Sequence, residues 1–418
     1  MKKWLFIILI CFVTLGCTTE EVIEKEKLYF RITWKAYSGR GETVNRIVQD
    51  FNADQTNYEI ELVGGDEDLQ DIRSQIDEKG VDILVLPYRY VQLLGHETKL
   101  AEVKIETESK HIAKELKELG TIDEKLYGLP WVSHSMALLY NKDLLTLAGV
   151  NPDHIVDRKT FLSALRQVEE ATGSKGIGLV GANHNDLSWM VNQFVYGSGS
   201  GLIDNGNIVI NNDKSKEAIN YYINELSLYA QPSWKEDTGV EVMEYFRNGE
   251  VAFEIQGLWG VTDIWKNGNP FEVGILPLSR IGANAEVGPM LLVYPAGLPT
   301  EKVQVIEAFL DYMTSLKAQE MIMQGEYSPE HDSYYPFRLP VRDDVISSDA
   351  FEPYKAFEIY INAYHYPSID VPDPKWQVIK EDIYTPYLKN VVDGDMTIEM
   401  FLEKVEHEGE RLLEVPNE

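Results

Sequence analysis

The sequence predicts an α/β chain of two domains, and three observations carry the prediction. Strand and helix periodicities alternate between residues 28 and 86. Residues 123–150, DEKLYGLPWVSHSMALLYNKDLLTLAGV, read as a turn, two short buried strands and a helix start. At 418 residues the chain is long enough for two domains with sizeable cores.

In order, Leu28, Phe30, Ile32 and Trp34 alternate as a strand, and 37–41 form a glycine-bearing turn. Val44, Ile47, Val48 and Phe51 then repeat at helical spacing. Tyr58, Ile60 and Leu62 alternate again, Leu69, Ile72 and Ile76 mark a second helix, and 81–86 is a continuous apolar run. This βαβαβ order implies a parallel sheet with right-handed crossovers. Ligands bind outside the carboxyl ends of such strands, which places Ser38, Tyr88 and Arg89 at a candidate site. Farther on, Pro130 argues for a strand end or edge. Asn141 and Asp143 can cap a helix that Gly149 ends, and Thr160 is expected to cap the next. Residues 175–180 read as a strand, 187–196 as an aromatic-bearing helix or turn, and Asp213 as the start of a long helix carrying Ile219, Tyr222, Ile223, Leu226 and Tyr229.

The segment 125–149 resembles a signature of the extracellular solute-binding proteins of ABC importers, in the sugar-binding, maltose-binding-protein-like branch. Leu126, Tyr127, Gly128, Pro130, Trp131, Tyr140, Asn141, Lys142, Asp143 and Gly149 fit its "K-L-Y-G-x-P-W … Y-N-K-D-L … A-G" pattern, with Glu124 replacing the usual glycine. Phe246 to Phe253 is similar to the family's "F-x-x-G-x-x-A-M", Gly257-Leu258-Trp259 to "G-x-W", and 314–319 to "T-S-P-E-A-Q". Leu339-Pro340-Val341-Arg342 resembles its "P-x-R" element. The resemblance spans residues 28–413 in the expected order. It implies a periplasmic-binding-protein-like fold: two α/β lobes, each a mainly parallel sheet flanked by helices, joined by hinge crossings around a ligand cleft. The lobes would comprise 28–134 with 278–330, and 135–277 with 331–418. It further implies capture of a carbohydrate in the cleft and delivery to permease subunits in the membrane, with no enzymatic activity and with a monomeric chain. The same fold also serves polyol phosphates, peptides and polyamines. The residues leave open a surface glycoside hydrolase, or a receptor that senses its ligand without supporting uptake.

The N-terminus reads as a processing signal. Lys2 and Lys3 precede an apolar stretch over 4–13, too short to span a bilayer of ~30 Å. Thr14-Leu15-Gly16-Cys17 resembles a lipobox, which implies cleavage after residue 16, acylation of Cys17, and a polar tether over 17–27. The chain would then sit outside the cytoplasm, lipid-anchored in the bacterial cell envelope. Cys11 would leave with the signal, so neither a disulfide nor a transition-metal site is expected.

A formal net charge of −30 argues against nucleic acid and anionic lipid as partners. Gly176, Gly178 and Gly181 match G-x-G-x-x-G literally, but they follow a helix and lie on a strand, the wrong context for a dinucleotide. The eight histidines lack metal-ligand spacing, and no cofactor is expected.

Sugar recognition needs aromatic faces for the apolar side of a pyranose and directed partners for its hydroxyls. The resemblance makes Trp259, Trp131, Trp189 and Trp376 the candidate stacking rings. Asn185 and Asp186 are candidate hydrogen-bonding partners beside Trp189. His134 departs from the family, where an acidic side chain is common in the hinge strand; it points to a different hydroxyl pattern or to an anionic group on the ligand.

Overall fold

The computed structural model describes residues 25–32, 41–65, 68–105, 109–204, 206–336, 338–365, 371 and 374–414. Cys17, Trp34 and Ser38 lie outside the described residues. The first lobe begins with β1 (Glu26–Ile32), α1 (Glu42–Ala53), β2 (Tyr58–Gly64), α2 (Leu69–Asp77), β3 (Ile83–Pro87) and α3 (Tyr88–His96). β2 and β3 both pair parallel with β1, as a right-handed βαβαβ unit requires. Leu28, Phe30 and Ile32 point into the core beneath Val44, Ile47, Val48 and Phe51 of α1.

β4 (Leu129–Ser133) then leads to β5 (Ala137–Asn141) in the second lobe. The Asn141 side chain accepts from the backbone N–H groups of Asp143 and Leu144, which caps α4 (Lys142–Ala148). Gly149 ends that helix in the left-handed region, with φ +69°. α5 (Arg158–Thr172) is capped by Asp157 rather than by Thr160; Thr160 is the third helical residue and answers Asp157 in a reciprocal capping box. β6 (Lys175–Gly178), α6 (Asn185–Gly197), α7 (Asp213–Asn220), α8 (Gly239–Arg247), β7 (Val251–Gln256), α9 (Leu258–Lys266) and β8 (Val273–Leu276) complete this stretch. The long helix expected from Asp213 changes form: a π-helical turn runs Tyr221–Glu225 and a 3₁₀ turn Leu226–Tyr229. The Tyr222 hydroxyl, in the widened turn, donates to the Val180 carbonyl at 2.8 Å and accepts from the Val180 N–H at 3.1 Å.

The chain returns through β9 (Met290–Val293), α10 (Thr300–Met313), α11 (Leu316–Gln324), the hairpin β10 (Glu326–Ser328) and β11 (Ser333–Tyr335), and β12 (Leu339–Pro340). α12 (Glu358–Asn362), α13 (Pro374–Ile379), α14 (Thr385–Asp393) and α15 (Ile398–Glu414) follow. The first sheet has the order β12-β4-β9-β3-β1-β2 and the second β8-β5-β7-β6. Parallel pairing is confined to the β2-β1-β3 part and to β7 with β6. The strands entering from the opposite lobe, β9 in the first sheet and β5 in the second, pair antiparallel.

The second crossing back differs from the expected boundary at residue 331. β12 pairs with β4 at Val132 and Ser133, so it belongs to the first sheet. Leu339, Val341, Phe357, Tyr360 and Tyr364 join the cluster that holds Trp131 and also Leu258, Val261 and Ile264 of α9. The apolar layer behind the hinge is thus shared by both lobes, and the segment after β12 fills the seam. Pro130 lies on β4 beyond the reach of the two-residue β12, and the β9 register shifts beside it, in keeping with its missing donor. In the glycine motif on β6, Gly176 and Gly178 leave room for Leu165 and Val242, so packing accounts for them.

Glu326 ties the hairpin to α1. Its carboxylate accepts from the N–H groups of Glu42 and Thr43 at 3.1 and 3.3 Å. Burial pushes its pKa up to about 7, opposed by the bond from Thr43 and reinforced by Glu42. The folded value therefore lies above the ordinary one of 4.5. The resulting stabilisation is complete in acid and is lost as the pH rises through about 7. Glu326→Gln should flatten the fall in stability between pH 5 and pH 8 by on the order of 3 kcal/mol. Parallel slopes for mutant and parent in denaturant melts at the two pH values would sink this expectation.

Candidate functional site

The two crossings between the lobes run antiparallel and are bonded to each other. Ser135 faces Val287 in a bridge, the Gly288 N–H donates to the His134 carbonyl at 3.2 Å, and the Met136 N–H donates to the Glu286 carbonyl at 3.0 Å. Alternation puts His134 on one face of this ribbon and Ser135 on the other. Ser135 donates to the Tyr360 carbonyl at 3.0 Å, and the Tyr360 hydroxyl donates to the Gln256 carbonyl at 3.3 Å, so α12 braces the back.

On the other face, His134 Nε2 lies 2.8 Å from a Glu286 carboxylate oxygen. The imidazole stands edge-on to Trp259, with ring centres 5.5 Å apart. Trp259 is the second residue of α9, and its ring folds back over Gly257; a Cβ at that glycine would come within 2.3 Å of the indole. The ring is half-buried, with the Arg338 guanidinium 5.7 Å from its centre. Gln193, fully buried on α6, accepts from the Glu286 N–H at 3.2 Å. One turn earlier on the same helix face is Trp189, half-buried, with Lys380 Nζ 5.9 Å from its ring centre. Its indole N–H is buried and has no hydrogen-bond partner among the described residues. Asn192 accepts from the Tyr384 hydroxyl at 2.5 Å. A line of contacts thus runs from Arg338 through Trp259, His134 and Glu286 to Gln193 of α6, the helix that also carries Trp189.

The structure brings Trp259 and His134 to this line, puts Trp189 on the helix that the line reaches, and leaves other candidates elsewhere. Trp131 is fully buried in the first-lobe core, edge-on to Phe30, so its face is not offered to a ligand. Trp376 is buried against Tyr384 in the second-lobe core. Asp186 accepts from the Gly239 N–H at 3.0 Å and pairs with His184, a role at the start of α8. Asn185 opens α6 and its carbonyl accepts from Ser188. At the head of α3, Tyr88 is buried, while Arg89 is half-buried with its guanidinium 4.9 Å over the Tyr90 ring. That helix packs against α13 of the second lobe. Glu286, Gln193, Arg338 and Lys380 were not singled out from sequence. The one local signal was the i, i+4 spacing of Trp189 and Gln193.

Two other features lie apart from this line. A surface groove of about 520 Å³ between α7 and the start of α15 is crossed by the Lys216–Glu399 ion pair. His111, Asp343 and Asp344 approach one another. Arg342 makes two bonds to the Asp344 carboxylate, at 2.8 and 2.6 Å, and holds its pKa below the usual range, so the trio reads as an ion-pair network. Among the described residues no helix is long and apolar enough to cross a membrane.

A sequence profile described as bacterial extracellular solute-binding protein matches residues 46–358. The maltodextrin-binding protein MdxE of Bacillus subtilis (strain 168) is 24% identical over 239 residues, 55% of this chain and 56% of that protein. An arabinooligosaccharide-binding protein of the same strain is 26% identical over 232 residues, 54% of this chain and 50% of that protein. The chain thus spans about half the length of these curated relatives. Among solved structures, the GacH receptor of Streptomyces glaucescens GLA.O, described unliganded and in complex with acarbose, superposes with a TM-score of 0.75. It is 19% identical, with 94% of this chain and 100% of that chain covered, and the likeness concerns the fold.

Proposed function

Because the chain belongs to the bacterial extracellular solute-binding protein family, we propose that it captures a saccharide between its lobes and delivers it to an ABC permease. The carrying observation is the Trp259–His134–Glu286 line, which sets a carboxylate on the hinge ribbon and a half-buried ring of α9 against it. A ring there can take the apolar face of a pyranose while the polar groups take its hydroxyls. A ligand lying on the ribbon touches both lobes when they close, so its differential affinity drives closure. Relatives named for maltodextrin and arabinooligosaccharide support a saccharide as the cargo. Binding without turnover is the activity this reading assigns. Cys17 is read as the lipid attachment point outside the cytoplasm; a Cys17→Ser chain should then lose membrane retention, and unchanged retention would remove the anchor.

The test is a thermal-shift screen of the purified chain against neutral oligosaccharides, phosphorylated polyols, peptides and polyamines. A ligand present at 100 times its dissociation constant adds about 2.7 kcal/mol of stability. The expected result is a shift with one saccharide class and recovery of the sugar unaltered. Consumption of the sugar would replace capture by hydrolysis, and shifts with the other classes alone would replace the cargo.

A further inference from the structure

Glu286 reaches the line of contacts from the return crossing, 152 residues away from His134, and its side chain is 5% exposed. Among the described residues, His134 is the only side chain bonded to its carboxylate. A carboxylate offers about four acceptor positions, so most of that capacity remains for hydroxyl donors. His134 is held where it stands. Gly288 lies so close to the imidazole that a Cβ there would come within 2.2 Å of Cε1, and Trp259 closes the ring edge. Arg338 brings one guanidinium to the Trp259 ring. At Trp259 the cluster thus sets the Glu286 carboxylate against the Arg338 guanidinium, while the Lys380 ammonium stands farther along, 5.9 Å from the Trp189 ring centre.

We infer that Glu286 is a specificity-determining acceptor for adjacent hydroxyls of a neutral saccharide lying on Trp259, that His134 is the positioning residue that aims it, and that the site rejects ligands bearing an acid at this point. The inference rests on the saccharide-capture reading and narrows it. A sugar acid would place a second carboxylate against Glu286 in a poorly hydrated setting, where like charges repel strongly. A neutral diol instead pairs both of its hydroxyls.

The test is titration calorimetry of the purified chain with maltotetraose and arabinotriose as neutral probes and trigalacturonate as the acidic probe. It is run on the parent, Glu286→Gln, His134→Ala and the double variant, with melting curves to establish folding. Glu286→Gln keeps the shape and a bond to His134. We expect the parent to prefer a neutral probe, and Glu286→Gln to weaken that probe by about 10- to 100-fold. We also expect it to narrow the neutral-to-acidic preference by about tenfold or more, since the repulsion is gone. His134→Ala should reproduce most of the loss, and the double variant should add little, because the two residues act as one unit. Neutral binding that Glu286→Gln leaves unchanged, or an equal loss for both kinds of probe, would overturn the inference while sparing capture. Tighter binding of trigalacturonate than of the neutral probes would overturn it too. Silence of the parent toward every probe would overturn saccharide capture itself, and the inference with it.

Discussion

Replacing Trp259 by alanine is expected to weaken saccharide binding by about 30- to 1000-fold, about 2–4 kcal/mol, the size found for aromatic anchors at recognition sites. The melting temperature of the ligand-free chain should fall less than for a fully buried ring. The ring is half-buried at the first turn of α9, folds over Gly257 and packs on the edge of the second-lobe core. The same truncation at Trp131 should behave in the opposite way. That ring is 0% exposed and packs on Phe30, so losing it costs about 3–5 kcal/mol of stability. Calorimetry and melts of the two variants separate the roles. An unchanged affinity for Trp259→Ala would take that residue out of the site.

The contrast between these two tryptophans shows where sequence reasoning reaches. The βαβαβ start was legible because each element buries one face, and the spacing of Leu28, Phe30 and Ile32, or of Val44, Ile47 and Phe51, records that face. The α4 boundaries were legible because Asn141 and Gly149 are demanded by local backbone geometry. Trp131 and Trp259 share no such local difference. Trp131 is buried by chain that arrives from far away: Phe30 of β1 stands edge-on to its ring, and Gln319 of α11, 188 residues on, donates to its carbonyl. Nothing near position 131 encodes that cover.

Glu286 was hidden for the same reason. It lies in a short run of small residues, Ala283 to Gly288, and gains its meaning from His134 across the ribbon. The departure at His134 was visible, but its partner was not, since pairing between the crossings is set by the return of the chain to the first sheet. The cap of α5 shows a smaller version of this limit. Asp157 and Thr160 stand three apart, and each fits a helix start; the reciprocal bonds show that Asp157 is the cap and Thr160 its answer.

Glu254→Met is expected to stabilise the chain by about 1–3 kcal/mol at pH 8, the scale of leaving a buried polar group unpaired. Glu254 sits on β7, paired with Leu139 of β5 and Gly178 of β6, and is 1% exposed. Neither carboxylate oxygen has a hydrogen-bond partner among the described residues. The Arg247 guanidinium is bonded instead to Asp263, at 2.7 Å. Burial raises the Glu254 pKa well above the usual range, Asp263 adds to this, and Arg247 opposes it. Since the folded value is the higher one, the group favours folding fully in acid and loses that advantage as the pH rises toward the folded pKa. The gain from Glu254→Met should therefore grow from pH 5 to pH 8 and shrink in acid. Denaturant melts of the two chains at those pH values measure it directly. A variant less stable than the parent at pH 8 would mean that the carboxylate is ionised and paired in the fold, with Arg247 leaving Asp263 to meet it. Glu254 shares its strand with Gln256, whose carbonyl receives the Tyr360 hydroxyl behind the hinge; burial raises the pKa of that tyrosine, and Glu254 adds to the rise. An uncharged Glu254 leaves this contact undisturbed, whereas an ionised one would set a bare charge beside the brace that holds the two crossings.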